Sequence, residues 1–204
     1  MPLSPPVERE HLHTRHVVCQ GFRRADGLWD IEGRLIDTKS YGFANLDRGG
    51  RIEAGEPIHE MLLRVTVDDD LIIRHVEAVI EHAPYAPCAS IAPVFAGLEG
   101  VSIGPGILRL VRSRFGGVRG CTHIVEMFGP IATAAFQTIV PLRRRETGAA
   151  ARPSIIDTCH ALAADGTVVA REWPRHHISG KTAPQNAERT LGASPRLSDS
   201  DAID

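Results

Sequence analysis

The chain has 204 residues, of which 43% are hydrophobic, and this is enough apolar material for one well-filled core but not clearly for two. The formal net charge is −2 and aromatic residues make up 5%, so neither charge nor stacking favours nucleic-acid binding. No apolar run approaches the roughly 18–20 residues of a membrane span, and the first residues lack the apolar centre of a signal peptide. These features predict a cytoplasmic protein without a nucleic-acid or membrane partner.

The first half of the chain is typical of strands and tight turns. Residues 1–12 are rich in proline and polar side chains and predict a flexible arm. Residues 15–82 then show alternating apolar and polar positions, with hairpin turns indicated at Ala25–Gly27 and Asp68–Asp70. Hairpins rather than strand–helix alternation predict an antiparallel sheet.

The second half is typical of helices and loops. Residues 86–140 favour helices that glycine and proline interrupt, and residues 142–154 favour a surface loop. A third hairpin is expected around Ala163–Gly166, and residues 177–204 have the composition of a disordered tail. The predicted fold is therefore a single α+β domain over residues 13–176, with an antiparallel sheet and helices packed on one face.

Polar residues break the apolar face of two predicted strands at the same end. In the strand WDIEGRLIDTK the odd positions are apolar from Trp29 onward and finish with Asp37 and Lys39. The apolar face of the next strand begins with His59. If the two strands are antiparallel neighbours, His59 lies near Asp37 and Lys39, and the following strand delivers Tyr85 to the same edge. Because ionisable groups on a buried face are costly unless paired or used, their convergence favours a site.

The segment GCTH, residues 120–123, precedes a helical pattern. Thr122 is expected to cap that helix with its hydroxyl. His123 and Glu126 are three residues apart and share one helix face. We expect His123 to point into the pocket and Cys121 to pack there, since a cysteine and a histidine two positions apart are poorly placed to serve one another.

Several of these motifs together resemble a known bacterial family. The strings GFRRADGLWDIEGRLIDTK, GEPIHEMLLRVTVDDDLII, APYAPC and GCTHIVEM occur in this order and resemble domain of unknown function 2889, over roughly residues 10–176. The resemblance marks as motif positions Asp26, Asp37, Lys39, His59, Tyr85, Cys88, Cys121 and His123. Its members look like proteins encoded among genes for aromatic-compound breakdown, which implies an aromatic or phenylpropanoid substrate. Gly129 and Pro130 depart from the family pattern and predict a break in the helix.

The leading functional hypothesis is a small cofactor-free enzyme that uses acid–base chemistry, of the lyase type, with formaldehyde release from a lignin-derived compound as an example. In this hypothesis His59 or His123 is the base, Asp37 orients it and Lys39 stabilises developing negative charge. The catalytic candidates are His59, Lys39, Asp37 and His123. The substrate-binding candidates are Tyr85, Trp29, Cys121 and Arg24. No cofactor and no metal ion are expected, and a homodimer is left open.

Three other functions fit the same residues. His59, His123 and Asp37 match a three-ligand open metal site of a hydrolase or lyase, although no short motif joins them. Cys121 with His59 as its base would support acyl transfer. A ligand-binding module without catalysis is the third, since an acid–amine pair at a strand end and a histidine in a core are often purely structural.

Overall fold

The computed structural model describes residues 3–148 and 152–179. The chain divides into two compact units, residues 1–149 and 150–204, so the predicted domain over residues 13–176 extends across both.

The predicted arm and tail lie at the two ends of the chain. Residues 3–12 contain no helix or strand. The predicted tail, residues 177–204, lies outside the described residues apart from its first three positions.

The first unit is built on a four-stranded antiparallel sheet of order β1-β2-β5-β6. A small two-stranded sheet, β3-β4, lies within the connection from β2 to β5. The strands are β1 His13–Arg23, β2 Trp29–Lys39, β3 Phe43–Asn45, β4 Gly50–Ile52, β5 Pro57–Val67 and β6 Ile73–His82. The prediction of strands across this region and of an antiparallel sheet is confirmed.

Two tight turns join the long strands as the sequence predicts. Gly27 has a φ of +87°, which only glycine adopts without strain, and this closes the β1–β2 hairpin. In the β5–β6 hairpin the carboxylate of Asp68 accepts the backbone N–H groups of Asp70 and Ile72, both at 2.9 Å. The Asp68 side chain thus satisfies backbone N–H groups of the turn that have no partner in the opposite strand.

Helices cover one face of the sheet. The α-helices are α1 Ile107–Phe115, α2 Thr122–Thr147 and α3 Thr167–Glu172. The 3-10 helices are Leu46–Arg48, Ala86–Leu98, Gly117–Arg119, His160–Leu162 and Pro174–His176. Within the first unit the odd positions of β2 and β5 face the Ala86–Leu98 helix, α1 and α2, and the core forms between them. The α+β prediction is confirmed.

Helix α2 is the main element against the sheet. Its buried stripe is Ile124, Met127, Phe128, Ile131, Ala135 and Ile139. Gly33 lets it approach, because a Cβ at that position would lie 2.9 Å from Cδ1 of Ile131. The stretch from Thr122 to Glu146 is long and apolar enough to cross a membrane, by length and composition only. The sequence analysis had expected no segment of this kind. Core helices pass the same test, and this one buries its stripe against β2 and β5.

The expected interruption of α2 at Gly129 and Pro130 is wrong, and so is the expected loop from residue 142. The helix continues through Pro130 and Pro141 to Thr147. Both prolines lie on its exposed side. The carbonyls left without a partner belong to residues four positions earlier, which are also exposed, so water can satisfy them.

The expected third hairpin is also wrong, because the second unit is helical where it is described. The segment around Ala163–Gly166 separates the His160–Leu162 turn from α3. A small core forms from Ile156, Ala164 and Val169, with Trp173 packed against it. The β-branched residues Thr167, Val168 and Val169 at the start of α3 are typical of a strand, but the burial of Val169 against this core outweighs a propensity difference of about 1 kcal/mol.

Candidate functional site

Three charged or polar side chains stand side by side across the sheet. Arg15 of β1 is the Cα partner of Asp37 of β2, and Asp37 is the partner of His59 of β5. All three residues are at odd positions, and the odd positions of these strands face the helices. Asp37 and His59 are therefore neighbours, as strand parity predicts, and Arg15 completes the row.

Asp37 is the centre of this cluster and is almost fully buried, with 1% of its surface exposed. Arg15 donates two hydrogen bonds to its carboxylate, Nε to Oδ1 and Nη2 to Oδ2, each 2.8 Å long. Nε2 of His13 lies 3.2 Å from Oδ1. Burial alone would raise the pKa of Asp37, but the hydrogen bonds and charge of Arg15 outweigh it and hold this pKa below its ordinary value. The carboxylate is therefore ionised at neutral pH.

Helix α2 brings two further residues onto the row. Nε2 of His123 lies 3.7 Å from Oδ2 of Asp37, longer than a hydrogen bond. Its ring lies against that of His59, with centroids 3.9 Å apart and planes tilted by 33°. One turn further, Glu126 accepts a 2.6 Å hydrogen bond from Nη1 of Arg15. The helix start and three strands thus bring two imidazoles, those of His59 and His123, to the carboxylate that Arg15 holds.

The two imidazoles are held in the form that a base requires. Burial lowers the pKa of His59, and the neighbouring His123 lowers it further, against the opposite effect of Asp37. Burial and then Arg15 lower the pKa of His123. Nδ1 of His59 lies 3.1 Å from Oδ2 of the ionised Asp37, so this nitrogen carries the proton and Nε2 is left as acceptor. The site accordingly contains neutral imidazoles oriented by a buried carboxylate.

The same groups have the composition of a metal site. One ligand atom from each of Asp37, His59 and His123 can be chosen so that all three lie within 4.8 Å of one another. Oδ2 of Asp37 lies 3.1 Å from Nδ1 of His59 and 3.7 Å from Nε2 of His123. Two ligand atoms on one tetrahedral zinc ion are about 3.3 Å apart, so these distances are of the right size. Two features oppose it. Rings on one tetrahedral ion would have centroids about 5 Å apart rather than 3.9 Å. Arg15 also occupies both carboxylate oxygens.

Two predicted residues lie near this end of the sheet with surroundings of their own. The ammonium of Lys39 lies over two aromatic rings, 4.9 Å from the centroid of Tyr41 and 4.7 Å from that of Phe43. Its Cα partner in β1 is His13, whose side chain reaches Asp37. Tyr85 follows β6 immediately before the Ala86–Leu98 helix and is 64% exposed.

The GCTH segment differs from its predicted arrangement in two respects. Thr122 is the first residue of α2 rather than its cap, and the N-cap position belongs to Cys121, whose side chain makes no capping hydrogen bond. The Sγ atom of Cys121 lies 3.8 Å from Nδ1 of His123. Cys121 has extended backbone angles and His123 lies in the first helical turn, so the chain bends between them and the side chains converge.

Trp29 and Arg24 are not brought to the cluster. Trp29 is at the opposite end of β2, buried, and donates from Nε1 to Asp69 at 2.9 Å. Eight residues of strand separate it from Asp37, about 26 Å. Arg24 lies beyond it in the hairpin turn and pairs with Asp26. A small molecule held at Asp37 would reach neither residue.

The site residues His13 and Arg15 were missed by the sequence analysis. Both lie on the helix-facing parity of β1, where the partner register places them beside Lys39 and Asp37. The sequence did contain an indication of this, because His13 and Arg15 alternate with Thr14 and His16 and therefore lie on the same face of the strand. It was obscured because β1 is an edge strand whose residues are mostly exposed, without the apolar alternation of β2.

A second carboxylate–histidine–arginine cluster lies on the opposite face of the sheet. Glu60 accepts hydrogen bonds from Arg34, while Nδ1 of His82 lies 2.8 Å from its Oε2. Beside this cluster is an open groove of about 410 Å³, lined by Val18, Gln20, Glu32, Gly33, Arg34, Leu62, Leu63, Arg64, Glu77 and Val79. Crossed ion pairs such as Arg64 with Glu32 and Glu77 hold this face. It is a ladder of paired surface charges.

Comparison with known proteins identifies a family and nothing more specific. A family model described as protein of unknown function, DUF2889, matches residues 13–137, more than half of the chain. The matched region contains every residue of the Asp37 cluster, from His13 to Glu126. No curated protein and no solved structure matches the chain.

Proposed function

The chain belongs to the DUF2889 family, and we propose from its own site that it is a small enzyme whose Asp37–His59–His123 cluster performs acid–base chemistry. The observation that carries the proposal is the buried Asp37 carboxylate, which orients His59 and keeps its Nε2 free. A carboxylate that fixes the tautomer of an imidazole is the arrangement of enzymes that abstract protons from hydroxyl groups.

The proposed reaction is a lyase cleavage of an aromatic compound that carries a primary hydroxyl. Nε2 of His59 takes the hydroxyl proton, the adjacent carbon–carbon bond breaks and formaldehyde leaves. The electron pair of that bond forms a carbon–carbon double bond and expels a neighbouring oxygen, which takes up the proton carried by the His59 imidazolium, so that His59 is neutral again. Lys39 would stabilise the negative charge on that oxygen. Its flanking rings, Tyr41 and Phe43, offer an apolar wall for an aromatic group.

Replacement of His59 by asparagine tests the base. Asparagine can still donate a hydrogen bond to Asp37 from the place of Nδ1 but has no counterpart of Nε2. We expect kcat to fall by about 10²–10⁴-fold, the usual contribution of a general base. Formaldehyde released from a panel of phenolic dimers with a primary alcohol measures the turnover.

The matched control is His82→Asn, which makes the same change beside the carboxylate of Glu60 on the other face of the sheet. It should leave turnover unchanged. Equal activity of His59→Asn and the wild type on a substrate that the wild type cleaves would refute His59 as the base. Binding of the dimers without turnover by the wild-type protein would instead support the ligand-binding module.

A metal-dependent hydrolase or lyase is the second candidate, and the donor set of Asp37, His59 and His123 favours it. In that case the ion would activate a water molecule or polarise the substrate, and Arg15 would have to release one carboxylate oxygen. Metal analysis of the purified protein separates the two candidates. One equivalent of zinc or iron that is lost together with activity on EDTA treatment supports the metal enzyme, whereas undiminished activity after metal removal supports the acid–base enzyme.

A further inference from the structure

The thiol of Cys121 takes no part in the proposed acid–base reaction, although it lies beside His123 of that site. Its Sγ lies 3.8 Å from Nδ1 of His123. The other nitrogen of that ring, Nε2, lies 3.7 Å from Oδ2 of Asp37. Thiol, imidazole and carboxylate therefore follow one another in the order of a nucleophile, its base and the acid that orients the base.

We propose that Cys121 is a nucleophile for acyl transfer, with His123 as its base and Asp37 as the positioning residue, and that the site takes activated acyl groups such as esters and thioesters. The proposal shares Asp37 and His123 with the acid–base function but requires neither Nε2 of His59 nor an aromatic substrate. It also differs from the thiol hypothesis drawn from the sequence, in which the base was His59.

The geometry supports this assignment of the base. The ionised carboxylate of Asp37 faces Nε2 of His123 and favours the proton on that nitrogen, so Nδ1 is left to accept the thiol proton. Burial and the charge of Arg15 lower the pKa of His123, so its ring is neutral at neutral pH and available as a base. Both atom separations are longer than in a reacting complex, as is common in free enzymes.

The start of α2 adds donors for the developing negative charge. Cys121 is the N-cap of α2, and its side chain makes no capping hydrogen bond. The first backbone N–H groups of a helix have no partner within it. Because Cys121 directly precedes the helix, these groups would be the donors to the oxyanion of a tetrahedral intermediate formed on its thiol.

The proposed reaction is balanced in two stages. The S–H bond breaks and its proton moves to Nδ1 of His123, while sulfur bonds to the acyl carbon. The bond from that carbon to the alcohol oxygen breaks, and this oxygen leaves with the proton from Nδ1. In the second stage water gives a proton to Nδ1 and adds to the acyl carbon, the C–S bond breaks, and the sulfur recovers the proton. The sum is ester plus water giving acid plus alcohol.

The proposal can be tested on the 204-residue chain with p-nitrophenyl acetate. We expect a burst of p-nitrophenol of one equivalent and one acetyl group on Cys121, located by peptide mass spectrometry. Cys121→Ser and Cys121→Ala should both lose the adduct. Two variants are used so that the result does not depend on the folding of either one. The matched control is Cys88→Ser, another partly buried free thiol of the same unit, which should keep the adduct.

The role of His123 is tested with the same reagent. His123→Gln should slow acetylation of Cys121 by about 10²-fold or more, because glutamine has no counterpart of Nδ1 to take the thiol proton. An acetyl group on another residue, or unchanged acetylation in His123→Gln, would overturn the proposal. The assay contains no substrate of the acid–base reaction, so this failure would leave the function proposed for His59 untouched.

Discussion

Arg15, which the sequence analysis missed, influences the protonation of three neighbouring side chains. Its guanidinium uses both carboxylate oxygens of Asp37 and also binds Glu126, so one side chain ties β1 to β2 and to α2. It thereby keeps the buried carboxylate ionised and, by its charge, lowers the pKa of both His59 and His123. Three titrating groups depend on this one cation.

Replacement of Arg15 by glutamine should therefore raise the pKa of Asp37 and of His123. NMR titration of the imidazole C–H signals measures the shift of His123, and we expect the acid limb of any pH–rate profile to move to higher pH with it. Arg34→Gln is the matched control, because Arg34 pairs with Glu60 on the opposite face. A His123 pKa that falls or stays constant in Arg15→Gln would contradict the electrostatic role given to Arg15.

At the scale of elements, strand parity was enough to place Asp37 opposite His59. It worked because β2 and β5 are central strands whose odd positions from Trp29 to Asp37 and from Met61 to Val67 are all buried. It failed for Arg15 because the edge strand β1 has no such contrast. Proline was misleading in α2, where exposed positions tolerate it, and β-branched residues were misleading in α3, where packing decides. The contact of Cys121 with His123 depended on the backbone bend at a helix start, which spacing alone does not give.

The seating of α2 on the sheet depends on the absence of a side chain at Gly33. In Gly33→Ala the new Cβ would lie 2.9 Å from Ile131 and 3.6 Å from the sulfur of Met127, so the helix or these side chains must move. We expect a loss of about 1–3 kcal/mol in the free energy of unfolding, the usual effect of overpacking. Urea denaturation with a common m-value measures this.

Gly129→Ala is the matched control for that substitution. Position 129 is inside α2, and a Cβ there meets no atom within 4 Å. Alanine should stabilise the helix by about 0.5–1 kcal/mol through its higher helix propensity. Equal effects of the two substitutions would show that close packing at Gly33 does not hold α2 in place. A shift of α2 should also lower any activity, since His123 and Cys121 lie at its start.

At the scale of the whole chain, the cluster joins residues that are far apart in sequence. His13 and Arg15 come from β1, Asp37 from β2, His59 from β5, and His123 from α2. It can form only when β1, β2 and β5 are paired and α2 covers them. Folding therefore brings the buried carboxylate and the neutral imidazoles together, and unfolding releases all three to their ordinary protonation behaviour. The stability of the protein must then depend on pH through the same groups that carry the proposed chemistry.

The sign of this dependence follows from the direction of the shifts. In the unfolded chain His59 and His123 bind protons below about pH 6.5, whereas in the folded chain their lowered pKa values keep them neutral. The unfolded state binds more protons in this window, so the free energy of unfolding should fall between about pH 7 and pH 5. The lowered pKa of Asp37 adds a separate loss below about pH 4.

Urea unfolding at about pH 8, 6, 5 and 3 measures the slope of stability against pH in both windows. The double variant His59→Asn, His123→Asn should have a shallower slope in the upper window and keep the loss at lower pH that belongs to Asp37. Gly129→Ala adds no titrating group and should shift the whole curve by a constant amount. A double variant whose curve runs parallel to that of the wild type would mean that these two imidazoles are not held neutral by the fold. The basis for assigning them as bases would then be lost.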